Sequence, residues 1–300
     1  MSFIVIEGAV EQGFLYALVA LALYLSFRTL DIADLTTDGS FTLGAAASAL
    51  LTTLGLPWLG LLAAIVAGAA AGYVTAFLQT KMKIAPILAG IITMTGLYSI
   101  NLMVMKNSST LPLLKSSTVF TQFRSLLGDW GSLLLVVVIT AAAAVLLGFF
   151  LRTQLGLSLR ATGDNREMVS ASSINPAFTT TVGLCLANAL TALSGGLVAQ
   201  YSKFSDINQG TGMVVIGLAS LIIGEVIVGR GSVRRCLIGA VVGAVLYRVI
   251  IAAALSSKLG ANNLKLVSAV IVAIAISYPA IKERVAFARR RKEGMRDAAN

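Results

Sequence analysis

The sequence contains no histidine, and its two cysteines, Cys185 and Cys236, stand far apart. Those absences remove the usual metal-ligand sets, histidine-based catalysis and any disulfide framework. The cysteines read as small buried apolar side chains. Charge is scarce as well. Only 12% of residues are charged, about half the ~25% of an ordinary globular protein. No Gly-x-x-x-x-Gly-Lys-Ser/Thr loop and no Gly-Lys dipeptide occurs, so the chain does not bind ATP by that motif. Without a nucleophile–base cluster, an enzymatic reading has no residues to stand on, and no cofactor is expected on this chain.

What remains is apolar. Of 300 residues, 57% are hydrophobic, and mean hydropathy is +0.88. Such a chain cannot cover a water-facing surface. It is expected to be an all-α integral membrane protein, because its apolar runs approach ~20 residues where barrel strands alternate over ~10. Nine spans are predicted, at 6–27, 39–56, 58–79, 85–105, 132–151, 178–201, 210–228, 235–255 and 264–281. The first basic residue, Arg28, follows the first span, so 6–27 does not read as a cleaved leader.

Charge orients these spans. One alternating set of connections, with the tail, carries sixteen basic residues, including Arg28, Lys81, Lys83, Arg152, Arg160, Arg166, Arg230, Arg234 and Arg235. The opposite set carries six, and Arg248 lies within a span. The bias predicts an outside N-terminus, a cytoplasmic C-terminus and an odd number of spans. It also accounts for the net charge of +10 without nucleic acid. The tail, 282–300, is expected to meet anionic lipid.

A shift of 171 residues places Gly39-Ser40 on Gly210-Thr211, Gly60 on Gly231, Gly68 on Gly239 and Gly72 on Gly243. The copies begin five spans apart and therefore run in opposite directions, the inverted repeat of many transporters. One transmembrane domain, 1–281, is expected, with pseudo-repeats at about 6–105 and 178–281. Gly68-x-x-x-Gly72 and Gly239-x-x-x-Gly243 are expected to pack helices closely. The second and seventh spans look broken. Asp34, Thr36, Thr37, Asp38, Gly39, Ser40 and Phe41 precede or open one; Asn208, Gly210, Thr211 and Gly212 open the other. Two readings stand: half-helix starts lining a shared substrate path, or ordinary capped loops in solvent. Glu225 is expected to snorkel or pair with Arg230, Arg234 or Arg235. Arg248 is expected to pair with an acidic group such as Asp206, or to attract a substrate carboxylate. Thr93, Thr95, Asn101, Asn188 and Thr191 read as interhelical hydrogen-bonding residues.

The connection 152–177 is the long basic loop. Asp164 and Glu167 resemble a capping box opening a short helix, which Pro176 prevents from running into the next span. Met168, Ala171 and Ser172 then form one narrow face. It suits a groove on another protein, or it is an inert surface helix.

Leu159-Arg160-Ala161-Thr162-Gly163-Asp164-Asn165 through Ile174-Asn175 resembles the coupling-helix region of ABC importer permeases of the branched-chain amino acid and ribose type. Leu30-Asp31-Ile32-Ala33 and Leu35-Thr36-Thr37-Asp38-Gly39-Ser40-Phe41 are similar to that group's second-helix signature, most of all in its tryptophan/tyrosine transport permeases. Ser173 stands where many relatives carry glycine. The resemblance implies a homodimer of permease subunits, two cytoplasmic ATPases that hold ATP and Mg, and an extracytoplasmic binding protein. It implies an ATPase contact through Gly163, Asp164, Asn165, Arg166, Glu167, Met168, Ala171, Ser172, Ile174 and Asn175, and a multi-pass place in a bacterial cell membrane. The implied cargo is a small polar solute, an amino acid and an aromatic one by the subgroup. An ion-coupled secondary transporter, a sugar or nucleoside importer and a scaffolding membrane subunit are the competing readings.

Overall fold

The computed structural model describes residues 3–256 together with 270, 273 and 277. In chain order the helices are α1 (Phe3–Leu23), extended by a π-helical turn (Tyr24–Thr29), α2 (Thr36–Thr53), α3 (Pro57–Thr80) and α4 (Pro86–Val104). Then come α5 (Val119–Leu127), α6 (Gly131–Phe150), α7 (Gln154–Asp164), α8 (Arg166–Ala171), α9 (Pro176–Ser202), α10 (Met213–Val228) and α11 (Val233–Ser256). Three of these open on proline, at Pro57, Pro86 and Pro176. The missing N–H costs nothing at a first helical position, and the fixed φ suits it.

Among the described residues, six helices are long and apolar enough to cross a membrane: Val5–Thr29, Pro57–Thr80, Pro86–Val104, Gly131–Phe150, Pro176–Ser202 and Val233–Leu255. α2 has 18 residues and α10 has 16. At ~1.5 Å per residue both fall short of a ~30 Å hydrocarbon core. The second predicted span is displaced, since its helix starts at Thr36 rather than 39. The ninth, 264–281, and the tail, 282–300, lie outside the described residues. Three ordered elements occupy stretches read from sequence as loop: α5, α7, and an antiparallel pair of β1 (Thr110–Pro112) with β2 (Phe204–Asp206).

Burial separates the helices. The first span and α9 are mostly covered by protein, whereas the more apolar α6 is mostly exposed. A helix sheathed by protein can carry hydroxyls and carboxamides; one facing lipid cannot. α1 and α9 therefore form the centre. α1 packs against α11, α10, α9 and α6, and α9 packs against α3 and α2. The partners are exchanged along the chain: α1 lies on α11, and α9 lies back on α3. Gly13 abuts the backbone of Val245, and Gly72 abuts that of Leu184. Shifting Gly13 by 171 reaches Leu184, and shifting Val245 back reaches the residue two beyond Gly72. The predicted glycine pairs are used differently. Gly68 and Gly72 seat α3 on α9, whereas Gly239 and Gly243 seat α11 on α10.

One end of the bundle collects the basic connections, with Arg28 and Arg230 sharing Glu225. The opposite end carries the β-ribbon and α5, where the Trp58 indole donates to Gln122 at 3.2 Å. There too, Gln200 donates to the Pro57 carbonyl at 2.9 Å.

Candidate functional site: a polar joint and a surface helix

The two segments flagged as breaks meet directly. Asp38, in the first turn of α2, accepts the backbone N–H of Gly212 at 2.8 Å and of Val214 at 2.9 Å. The Gly210 N–H donates to the Thr42 hydroxyl at 3.1 Å, and a side chain on Gly210 would strike the Asp38 carbonyl. The opening turn of α10 thus has donors that the helix cannot satisfy, and a carboxylate from another helix caps them. Its positive end also favours that negative charge. The segments are joined, then, rather than facing each other across open space. Asn208 and Thr211 are exposed beside the joint, while Gly210 is buried.

One turn earlier, Asp34 is 1% exposed. It accepts from the Thr36 N–H at 2.9 Å and from the Asn188 carboxamide at 2.7 Å. Ser40 donates to the Asn188 oxygen at 2.6 Å, and Asn101 donates to the Gly39 carbonyl at 3.3 Å. Thr36 meets Thr75 of α3, hydroxyl to hydroxyl, at 2.7 Å, and Thr37 bonds back to the Asp34 carbonyl. Asn188 is the thirteenth residue of α9, which puts this network near the middle of the longest span. Sequence reasoning treated Asn188 as one polar residue among five; it is the hub that binds α2 to α9. Only Asn188 and Asn101 of that group reach another helix through an identified hydrogen bond. Thr93, Thr95 and Thr191 donate to carbonyls four residues back on their own helices.

Phe41 is fully buried and stacks on Tyr16 at 6.0 Å between ring centroids. The Arg248 guanidinium lies over the same tyrosine ring, 3.6 Å from its centroid. The expected Arg248–Asp206 pair does not form. Asp206 instead accepts from Thr110 at 3.0 Å and from the Asn208 N–H at 2.8 Å. Glu225 pairs with Arg230 at 2.7 Å as expected, and also with Arg28 at 3.0 Å, which the sequence reading left out.

At the basic end, α7 and α8 replace the single short helix expected. Asp164 closes α7 and caps nothing; Asn165 opens α8, accepting the Met168 N–H at 3.0 Å. Two asparagines therefore bracket the helix, because Asn175 accepts from Ala177 at 3.0 Å and Phe178 at 3.3 Å to open α9. Gly163 faces inward onto the Thr29 carbonyl, so it is a packing residue. Asp164, Arg166, Glu167, Ala171 and Ser172 are exposed, Met168 is 66% exposed, and Val169 holds α8 to the bundle. Ile174 is partly buried and returns its N–H to Val169 at 3.3 Å. Ser173 has φ +63°, a left-handed conformation that glycine adopts freely and other residues at a cost of about 1–2 kcal/mol. Ser173→Gly should raise stability by up to about 1 kcal/mol, the relief being offset by a more flexible unfolded chain. An unchanged or lowered thermal midpoint would show that the turn carries no strain.

A membrane-embedded bundle in which two short helices meet end to end at a polar joint has the build of a solute permease. The sequence matches the family described as branched-chain amino acid transport system / permease component over residues 5–277. The chain belongs to that family. It is 35% identical to a tyrosine transport system permease protein of Clostridioides difficile (strain R20291) over 89% of this chain and 88% of that one. It is 31% identical to an uncharacterized protein of Rickettsia prowazekii (strain Madrid E), over 90% and 95% of the two chains. In fold it is similar to PsaBC from Streptococcus pneumoniae, solved in complex with Fab, with TM-score 0.52, 15% identity, and 90% and 89% of the chains covered.

Proposed function

We propose that this chain is the membrane-spanning, non-catalytic subunit of an ATP-driven importer of the ABC type in a bacterial cell membrane. Its cargo is an amino acid, and the likeness to a tyrosine transport permease favours an aromatic one. Substrate arrives from an extracytoplasmic binding protein, two copies of the chain form the path, and separate ATPases drive it. The basic end faces the cytoplasm, the N-terminus lies outside, and the two halves form an inverted pseudo-repeat supported by the exchanged packing of α1 on α11 and α9 on α3. The path runs by the α2–α10 joint, where exposed Asn208 and Thr211 adjoin the Asp38 cap. An amino-acid carboxylate suits a helix N-terminus there, and its ammonium suits carbonyl oxygens.

The observation that carries this reading is α8, a short helix capped at Asn165 that presents Met168, Ala171 and Ser172 outward at the basic end. A narrow apolar face between polar ends fits a groove on an ATPase. Met168→Asp would bury an unpaired charge at that contact and cost about 3–5 kcal/mol. The variant should fold and insert normally, because Met168 is exposed, yet fail to co-purify with its ATPase. A Met168→Asp complex that still assembles and hydrolyses ATP in response to substrate rules out this docking. Uptake by the chain alone, driven by an ion gradient in vesicles, would replace the reading with a secondary transporter.

A further inference from the structure

We propose that the groove between α6 and α11 is a binding site for one anionic phospholipid of the leaflet at the basic end. The groove has a volume of about 490 Å³, within the ~300–1,000 Å³ of small-molecule sites. Its floor is apolar, with Ala144, Gly148, Leu237 and Val241 among the lining residues, and Arg152 and Arg234 line it too. Both arginines are exposed. No ion pair among the described residues involves either, since Arg28 and Arg230 take the carboxylate of Glu225.

Length and charge select the occupant. Arg152 lies just past the last residue of α6 and Arg234 is the second residue of α11, so both cations sit where these helices leave the membrane. From there the lining reaches Ala141 on α6 and Val242 on α11. At ~1.5 Å per residue those runs are roughly 12–16 Å, the hydrocarbon half-thickness of one leaflet. A phosphate headgroup held by the two guanidiniums would thus leave its acyl chain lying along the groove to the bilayer midplane. Guanidinium groups match phosphate oxygens in geometry as well as charge, and basic pockets between helices on the cytoplasmic side favour anionic headgroups. Gly148 makes room for the chain: a Cβ there would stand 3.3 Å from Leu237.

The test uses the full chain in nanodiscs of equal phosphatidylglycerol and phosphatidylcholine, with retained lipid counted by native mass spectrometry after release. The wild type should keep phosphatidylglycerol in preference to phosphatidylcholine. Arg152→Gln/Arg234→Gln should lower that preference roughly ten- to thirtyfold. Val145→Trp, filling an exposed groove position while sparing both arginines, should also release the lipid. Equal retention of both lipids by the wild type would overturn the proposal, as would no retention, which means that protein covers the groove. Undiminished retention in either variant would overturn it too: in the first case the arginines are idle, and in the second the headgroup alone is held.

Discussion

Asp38→Ala should abolish transport and weaken the protein at the α2–α10 joint. The substitution strands the N–H groups of Gly212 and Val214, which the carboxylate accepts at 2.8 and 2.9 Å. Each donor stranded without a water to replace the acceptor costs about 1–3 kcal/mol. Asp38→Asn should fall between, because its amide oxygen keeps one acceptor while its NH2 opposes the second donor. Accessibility gives a readout independent of uptake. In a background lacking Cys185 and Cys236, cysteines at Ser40, fully buried, and Thr211, exposed, report on the two sides of the joint. With Asp38 present, labelling by a small polar thiol reagent should change in opposite senses with nucleotide when the ATPase is bound. In the Asp38→Ala variant, both positions should label regardless of nucleotide. Wild-type uptake and labelling in that variant would mean that the joint does not close the path.

The second large effect belongs to Glu225. Its side chain is 3% exposed and holds Arg28, from the turn after α1, and Arg230, from the turn after α10. Breaking a buried ion pair by deleting one partner costs about 3–5 kcal/mol. The arginines are 40% and 50% exposed, so solvent screening lowers the expected figure to about 2–3 kcal/mol. Glu225→Ala should therefore lower the thermal midpoint in detergent clearly. Adding Arg28→Gln should restore part of the loss, since the freed cation is removed with it. Strict additivity of the two changes would show that Arg28 and Glu225 do not interact.

Much of this structure was legible because a bilayer demands long apolar runs, and such runs cannot be hidden in a sequence. Six of the eight helices matching predicted spans are of that kind. What escaped was non-local. The cap of α10 comes from Asp38, 174 residues before Gly212, and no local signal links them. The reading of 37–41 and 208–212 as related polar breaks located both sides of the joint, but their direct contact required the fold. α7 was missed because Gly156 and Gly163 lower helix propensity. Their places are fixed by close approach to the Phe150 and Thr29 carbonyls, and tertiary packing wins. The capping residue of α8 was misassigned by one position: Asp164 and Asn165 are both good caps, and only the end of α7 decides between them. Arg248 was given a carboxylate partner on charge alone, whereas Tyr16 offers its ring face, an attraction that a count of charges cannot register.

The exchanged packing of α1 and α11 sets an order on biosynthesis. α1 leaves the ribosome well before α9 and α11, which complete its covering and whose last described residue is Ser256. At ~5–20 residues per second that wait is roughly 12–47 s. During it, Glu11, Tyr16 and Arg28 stand without Tyr201, Arg248 and Glu225, the partners that arrive late. A chain cut between α8 and α9 would therefore leave α1 without α11 and α9 without α3, each with a face meant for protein turned towards lipid.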